Sequence, residues 1–367
     1  MRIGILTQPL ANNYGGILQN FALQTVLRDM GHDAITINIP YRKRNETQSF
    51  IRGIWRLLKK MKGDSSVLFI DGSKQLNFLN TPGIDQSSFI KKHIKVIEAL
   101  NGIDNEFLTH ERDWDAIIVG SDQVWRKAFS PHFPSYFLPN VPDGCRKIAY
   151  AASFGIDSLD IPEDDIPYYA NLAQDFDAIS VRESSGVVLC DTRFHVKAEL
   201  VLDPTMLLSA DDYVRLLDIK HTVCSDYAAV YVLDNSSENT AAINRICQTK
   251  SLTPVFIGIP SKKGFPAIEE WVEKICNAKY VITDSFHGTA FSIIFNKDFS
   301  TLYNAGRGST RMQSLLNLVE LQERLIDASA LPFQENQVAS IDYAKVNMLL
   351  SNWKQKSLDF LRNSLKK

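Results

Sequence analysis

The segment Thr283-Asp284-Ser285-Phe286-His287-Gly288-Thr289 sets one histidine among small and polar residues, between the apolar run Val281-Ile282 and a second run from Ala290 to Phe295. A strand that ends in such an elbow and continues as a helix delivers polar side chains to the carboxyl edge of a sheet, where open α/β folds bind ligands. Histidine exchanges protons near neutral pH. A helix starting near Gly288 also aims unpaired backbone amides at an incoming anion, so phosphate or carboxylate suits the place. The plainer reading of the same residues is a core histidine with Asp284 or Ser285 as a helix cap.

Four further stretches repeat this pattern. Asn12-Asn13-Tyr14-Gly15-Gly16-Ile17-Leu18-Gln19 follows an apolar run as a glycine-containing loop that opens a helix. It lacks the spacing of a dinucleotide fingerprint or a P-loop, and on its own it reads as a capped tight turn. Val119-Gly120-Ser121-Asp122-Gln123-Val124-Trp125-Arg126 ends a strand in small and polar residues, with Arg126 either an anion fork or a solvated charge. Ile179-Ser180-Val181-Arg182-Glu183-Ser184 ends another in a charged pair that could also be a local ion pair. Ala305-Gly306-Arg307-Gly308-Ser309-Thr310-Arg311 places two arginines before a helical pattern at Met312 to Leu318, as an anion site or as surface charge. No zincin, EF-hand or Gly-x-Ser-x-Gly spacing occurs, so no metal is implied.

The elements that must hold these loops are legible as apolar runs. Arg2 to Thr7 and Ala34 to Ile39 read as strands around a helix from Gly15 to Met30, a right-handed parallel crossover. Ala116 to Gly120, Lys147 to Ser153, Ala178 to Arg182 and Glu199 to Leu202 continue as strands apolar throughout, hence covered on both faces. After Asp203-Pro204 a second series starts with Ala228 to Leu233, Pro254 to Ile259, Tyr280 to Thr283 and Phe299 to Tyr303. Ala267 to Ala278 is an amphipathic helix between two of them. The expected divisions are an N-terminal Rossmann-like domain over 1–208, a second over 209–335, and a helical tail over 336–367 that packs back on the first.

With 367 residues, 45% hydrophobic and 22% charged, the chain has the composition of a globular protein of two domains. A formal charge of −2 gives no global reason to bind nucleic acid. Five scattered cysteines form neither a disulfide framework nor a thiolate metal site. The first residues show no signal-peptide core and no run approaches the roughly 20 apolar residues that span a bilayer, so the cytoplasm is expected. Residues 42–62 are strongly basic, and over 49–62 an apolar stripe opposes Arg52, Arg56 and Lys59. That stripe fits a surface helix packed on its own domain, or a peripheral contact with the inner face of an anionic membrane.

Four stretches, in order, resemble the polysaccharide pyruvyl transferase family over nearly the whole chain. They are Asn13-Tyr14-Gly15-Gly16 with Leu18-Gln19-Asn20, Gly120-Ser121-Asp122-Gln123-Val124-Trp125, Tyr150 to Gly155 with Ser180-Val181-Arg182-Glu183, and Thr283 to Thr289. The resemblance implies an α/β fold of two doubly wound, Rossmann-like domains facing a cleft, as in GT-B glycosyltransferases. It implies transfer of a pyruvyl group from phosphoenolpyruvate, the donor substrate, with no further cofactor, to hydroxyls of a free or lipid-linked sugar. On that basis His287 and Asp284 are the catalytic candidates. Asn13, Tyr14, Gly15, Gly16, Gln19, Ser121, Asp122, Gln123, Arg126, Ser153, Arg182, Glu183, Ser285, Gly288, Thr289 and Arg311 are the substrate-binding candidates. The sequence departs from the family at the elbow, where better understood members resemble Asp-Arg-Leu-His-Gly and this chain has Asp284-Ser285-Phe286-His287-Gly288. Arg311 or Arg126 must then supply the missing arginine, or the donor differs. A nucleotide-sugar glycosyltransferase and a non-catalytic glycan-binding protein share the implied architecture.

Overall fold

The structure, a computed structural model, describes residues 1–41, 86–111, 113–220, 226–234, 236–260, 265–303, 309–330 and 339–366. The amphipathic stretch 49–62 and Arg307 lie outside the described residues. Within them the chain forms two parallel sheets. The first contains β1 (Arg2–Leu6), β2 (Asp33–Asn38), β3 (Val96–Glu98), β4 (Ala116–Val119), β5 (Arg146–Ala152), β6 (Ala178–Val181) and β7 (Glu199–Leu200), in the order β3-β2-β1-β4-β5-β6-β7. The second contains β8 (Tyr227–Tyr231), β9 (Thr253–Phe256), β10 (Tyr280–Thr283), β11 (Asp298–Leu302) and β12 (Leu325–Ile326), in the order β12-β11-β10-β8-β9.

The apolar runs explain the strands. Ile3, Ile5, Ile118 and Ile148 face one side of the first sheet beneath the helix Tyr14–Asp29, while Leu6, Ile117, Val119 and Ala149 face the other, so alternate residues enter different cores. β3 and β12 were not anticipated, because each offers only two consecutive apolar residues, too short a run to read as a strand. β3 is a short edge strand whose pairing is supplied by its neighbour, Thr36 to Val96 and Asn38 to Glu98. β12 likewise borrows its order from β11. The strand expected from Glu199 to Leu202 stops at Leu200, since the Leu202 amide donates instead to Ser357 Oγ at 2.9 Å.

In both sheets the strand order reverses once, between β1 and β4 and between β8 and β10. Helices leave in opposite directions at such a point and open a crevice at the carboxyl ends of the strands. The two crevices face each other. Tyr14, just after β1, stacks on Trp271 of the second domain with centroids 5.4 Å apart, and its hydroxyl donates to Pro266 O at 2.8 Å. Trp271 also meets Tyr231 and Phe291 edge-on, and one continuous core includes side chains of both domains. Farther along the interface the Ser184 amide donates to Ser314 Oγ at 2.9 Å.

The chain passes between the sheets at Val201–Leu208, and a 22-residue helix, Tyr343–Ser364, spans them again. It starts on the second domain, where the Tyr343 hydroxyl donates to Lys297 O and Lys345 pairs with Glu320. It ends on the first, with Phe360 against Tyr150 and Ser357 Oγ under the Leu202 amide. Among the described residues no helix is long and apolar enough to cross a membrane.

Because Trp271 is buried between three aromatic rings at this interface, Trp271→Ala is expected to lower unfolding free energy by about 3–5 kcal/mol. Denaturant unfolding followed by far-UV circular dichroism measures it, and a loss below about 1 kcal/mol would show that the domains hold together by other means.

Candidate active site

The centre of the facing crevices is a guanidinium with no access to water. Arg182 follows β6, and its side chain is fully buried. Its Nη1 donates to Asp203 Oδ2 at 2.8 Å and to Ser121 Oγ at 3.2 Å, and its Nη2 donates to Asp122 Oδ1 at 3.1 Å. Glu183 Oε2 lies 3.9 Å from Nε. Burial disfavours the charged form of this group, but the Asp203 and Asp122 carboxylates beside it more than offset that and raise its pKa. Phe286 covers the other side, its ring centroid 4.6 Å from the guanidinium carbon.

Each carboxylate is held by its own loop. Asp203, between the domains, also accepts Ser121 Oγ at 2.7 Å, while its second oxygen takes the Thr205 amide and hydroxyl. Burial pushes its carboxyl upward, yet His287 and Arg182 together hold it well below the ordinary carboxylate range. Asp122 follows β4 with φ 74°, a left-handed conformation uncommon outside glycine, and accepts the next residue's amide on Oδ1 at 2.9 Å. Its pKa is lowered, because Arg182, then His287 and Arg311, outweigh burial. Asn13 Nδ2 reaches its other oxygen at 3.4 Å, and Asn13 Oδ1 caps the helix by accepting the Gly16 amide at 3.1 Å. Glu183 Oε1 accepts Ser153 Oγ at 2.9 Å and the Phe154 amide at 2.8 Å. Its pKa is raised, with burial the dominant cause.

His287 enters from the second domain in the first turn of the helix Phe286–Ile294, straight after β10. Its Nε2 is buried and points at Asp203 Oδ2, 3.8 Å away. Its Nδ1 faces Gly15. A Cβ at Gly15 would lie 1.9 Å from Nδ1, so only glycine allows this approach. Arg311, buried at the start of the helix Ser309–Leu318, feels Arg182, Asp122 and Glu183, and burial lowers its pKa to about 10. Arg126 is half-buried over Phe129 and donates to Gln123 Oε1 at 2.9 Å.

The structure thus gathers Asn13, Gly15, Gly16, Ser121, Asp122, Arg182, Glu183, His287 and Arg311 around one point, with Ser153 bracing Glu183, and Gln123 and Arg126 at the margin. Other candidates hold the scaffold. Asp284 accepts the Leu233 and Asp234 amides at 2.7 and 3.0 Å, tying the β10 elbow to the loop after β8. Gln19 Nε2 bridges Thr7 Oγ1 and Gly16 O, and Thr289 Oγ1 pairs with Thr301. Gly288 lets the helix close on β10, where a Cβ would meet Thr283 Oγ1 at 2.2 Å. Tyr14 joins the interdomain stack. Ser285 occupies the helix N-cap position without a side-chain cap bond. Asp203 was missed because Asp-Pro after a strand reads as a linker. Its oxygen on Thr205 is an ordinary helix cap, and nothing in the sequence shows that the other oxygen faces Arg182 and His287.

Facing doubly wound domains with this buried, charged junction define a GT-B-like two-domain α/β protein. Among solved structures, MnaA of S. aureus in complex with UDP is similar, with 10% identity and a TM-score of 0.50 over 97% of this chain and 90% of that one. UGT89C1 of Arabidopsis thaliana, complexed with UDP-L-rhamnose, has 11% identity and a TM-score of 0.49 over 98% and 97%. The UDP-GlcNAc 2-epimerase of Methanocaldococcus jannaschii has 14% identity and a TM-score of 0.44 over 96% and 100%. At such identities the likeness concerns the fold alone. No curated protein matches in sequence. The family model for polysaccharide pyruvyl transferase matches residues 13–305, and the chain belongs to that family of transferases.

Two outcomes follow from the packing. In Gly15→Ala the added methyl forces His287 or the helix Tyr14–Asp29 to move, which should cost about 1–3 kcal/mol and lower the melting temperature in a thermal scan. An unchanged melting temperature would contradict the close approach. Arg182→Met strands the surrounding carboxylates and should cost about 3–5 kcal/mol near neutral pH. Asp203 and Asp122 have depressed values in the native protein, so their contribution is present above the unfolded value of about 3.9 and is lost only as pH falls below it. Without Arg182 they rise and take up protons, so the deficit measured by denaturant unfolding should shrink between about pH 8 and pH 5. A deficit independent of pH would refute this.

Proposed function

We propose that the chain transfers a pyruvyl group from phosphoenolpyruvate to two hydroxyls of a sugar in a surface or extracellular polysaccharide, forming a ketal and releasing phosphate. The observation that carries the reading is His287 of one domain set against the buried Arg182 cluster of the other, in a member of this family. The chemistry needs a proton delivered to the enol methylene carbon, attack of a sugar hydroxyl on the adjacent carbon, and departure of phosphate as the second hydroxyl closes the ring. His287 is the group that moves protons. Asp284, engaged with two backbone amides, orients the elbow that carries it.

The donor's charges fall to Arg311 and Arg126. Arg182 already spends its paired donors on Asp203, Asp122 and Ser121, and it locks the site rather than binding the donor. Burial and the neighbouring Arg182 disfavour the charged form of Arg311, and a bound phosphate or carboxylate would favour it. It stands in for the arginine that Ser285 replaces. The acceptor is a sugar, free or on a lipid-linked oligosaccharide, and the reaction takes place in the cytoplasm at the inner face of the membrane during synthesis of the cell-envelope glycan.

Phosphate release from phosphoenolpyruvate should depend on a sugar acceptor, fall on the order of 100-fold or more in His287→Ala, and show a roughly tenfold higher KM for the donor in Arg311→Ala. A coupled phosphate assay across an acceptor panel measures all three. Absence of release, together with thermal stabilisation by nucleotide sugars and none by phosphoenolpyruvate, would replace the donor with a nucleotide sugar.

A further inference from the structure

We infer that Asp203, on the segment that joins the two domains, is the positioning residue for His287: it holds the proton on Nε2 and leaves Nδ1 as the nitrogen that exchanges protons with the substrate. The role of His287 as the proton-moving group rests on the function proposed above; the pairing with Asp203 rests on geometry alone.

Nε2 is buried with no partner within hydrogen-bond distance, and the carboxylate oxygen set against it is Asp203 Oδ2, 3.8 Å away, which a small closing movement brings into bonding range. That oxygen is fixed from two other directions, by Ser121 Oγ at 2.7 Å and Arg182 Nη1 at 2.8 Å, while the second oxygen is pinned by the Thr205 amide and hydroxyl at 3.0 and 2.7 Å. A carboxylate so restrained cannot swing away, and an acceptor-only group facing a ring nitrogen favours the tautomer with the proton there. The other charged groups that act on the imidazole are Asp122 after β4 and, bonded to both carboxylates, Arg182 after β6. On the Nδ1 side the ring packs against the Gly15 backbone in the space a Cβ would fill, yet the side chain keeps 9% of its surface exposed, and it is Nε2, not Nδ1, that is the buried atom without a hydrogen-bond partner. A carboxylate that orients an imidazole and fixes its tautomer is a recurrent device wherever histidine works as an acid or base. Here it comes from the segment that joins the two domains.

The test uses the full chain with its histidine rings labelled with nitrogen-15, and His287→Gln to assign the resonance. Long-range proton–nitrogen correlation at about pH 8, where an ordinary histidine is neutral, should show His287 protonated at Nε2. In Asp203→Asn, the Nδ1-protonated form should gain population, kcat for phosphate release should fall on the order of 100-fold, and KM for phosphoenolpyruvate should stay within about twofold. A wild-type ring protonated at Nδ1 overturns the inference without any variant, as does an Asp203→Asn protein with unchanged tautomer and kcat. Should Asp203→Asn not fold, the wild-type tautomer alone decides. If the wild type releases no phosphate from phosphoenolpyruvate, the donor assignment fails while the spectra still settle the pairing.

Discussion

Everything at the domain junction is arranged around one buried guanidinium. Arg182 in a water-free setting is tolerable only while Asp203 and Asp122 stay charged beside it, and those carboxylates are tolerable only while Arg182 does. The mutual requirement reaches three separate chain segments: the loop after β4, the loop after β6 and the interdomain segment. A cluster of this kind adds little to stability compared with an apolar core of equal volume. It does fix where each of those loops can lie, and the Thr7 hydroxyl on Ser121 O and Asn13 Nδ2 on Asp122 extend that order to the loop after β1.

The second domain contributes the histidine, and it does so through apolar contacts more than charged ones. Phe286 covers the guanidinium, Gly15 admits the imidazole edge, and the Tyr14–Trp271 stack sets the separation of the two sheets. His287 and Asp203 lie 3.8 Å apart behind this packing, a distance at which electrostatic coupling across a dry site is sensitive to small shifts. The elbow itself carries Ser285 rather than a cation, and Arg311 from the helix Ser309–Leu318 enters the same cluster from another side.

Much of this was legible in the residues. Continuous apolar runs identified strands covered on both faces, and the repeated pattern of strand followed by small and polar residues located the loops that carry Asn13, Asp122, Arg182 and His287. What sequence could not give was pairing. Whether Arg182 would meet Glu183 beside it or Asp203 and Asp122 at a distance depends on sheet order, and β1 next to β4 is a tertiary fact. Asp284 and His287 are three residues apart, yet the first turns toward the loop after β8 and the second toward the other domain, because the chain passes from strand into helix between them. Asp203 carried no signal of its own, since a helix-capping aspartate before proline looks the same whether its second oxygen faces solvent or a buried arginine and histidine. The two short edge strands escaped because their order is imposed by neighbours.

The covalent chain crosses from one domain to the other at Val201–Leu208, and the helix Tyr343–Ser364 makes a second crossing; the two are tied together by the Leu202 amide on Ser357 Oγ. A body attached by one flexible segment can tilt, twist and slide, whereas one attached at two adjoining places turns about the line through them. The mechanics are those of a door with a pair of hinges. Asp203 sits beside that line, where arc lengths are smallest, so a rotation that parts the crevices at their mouth displaces the Asp203–His287 pair least of all.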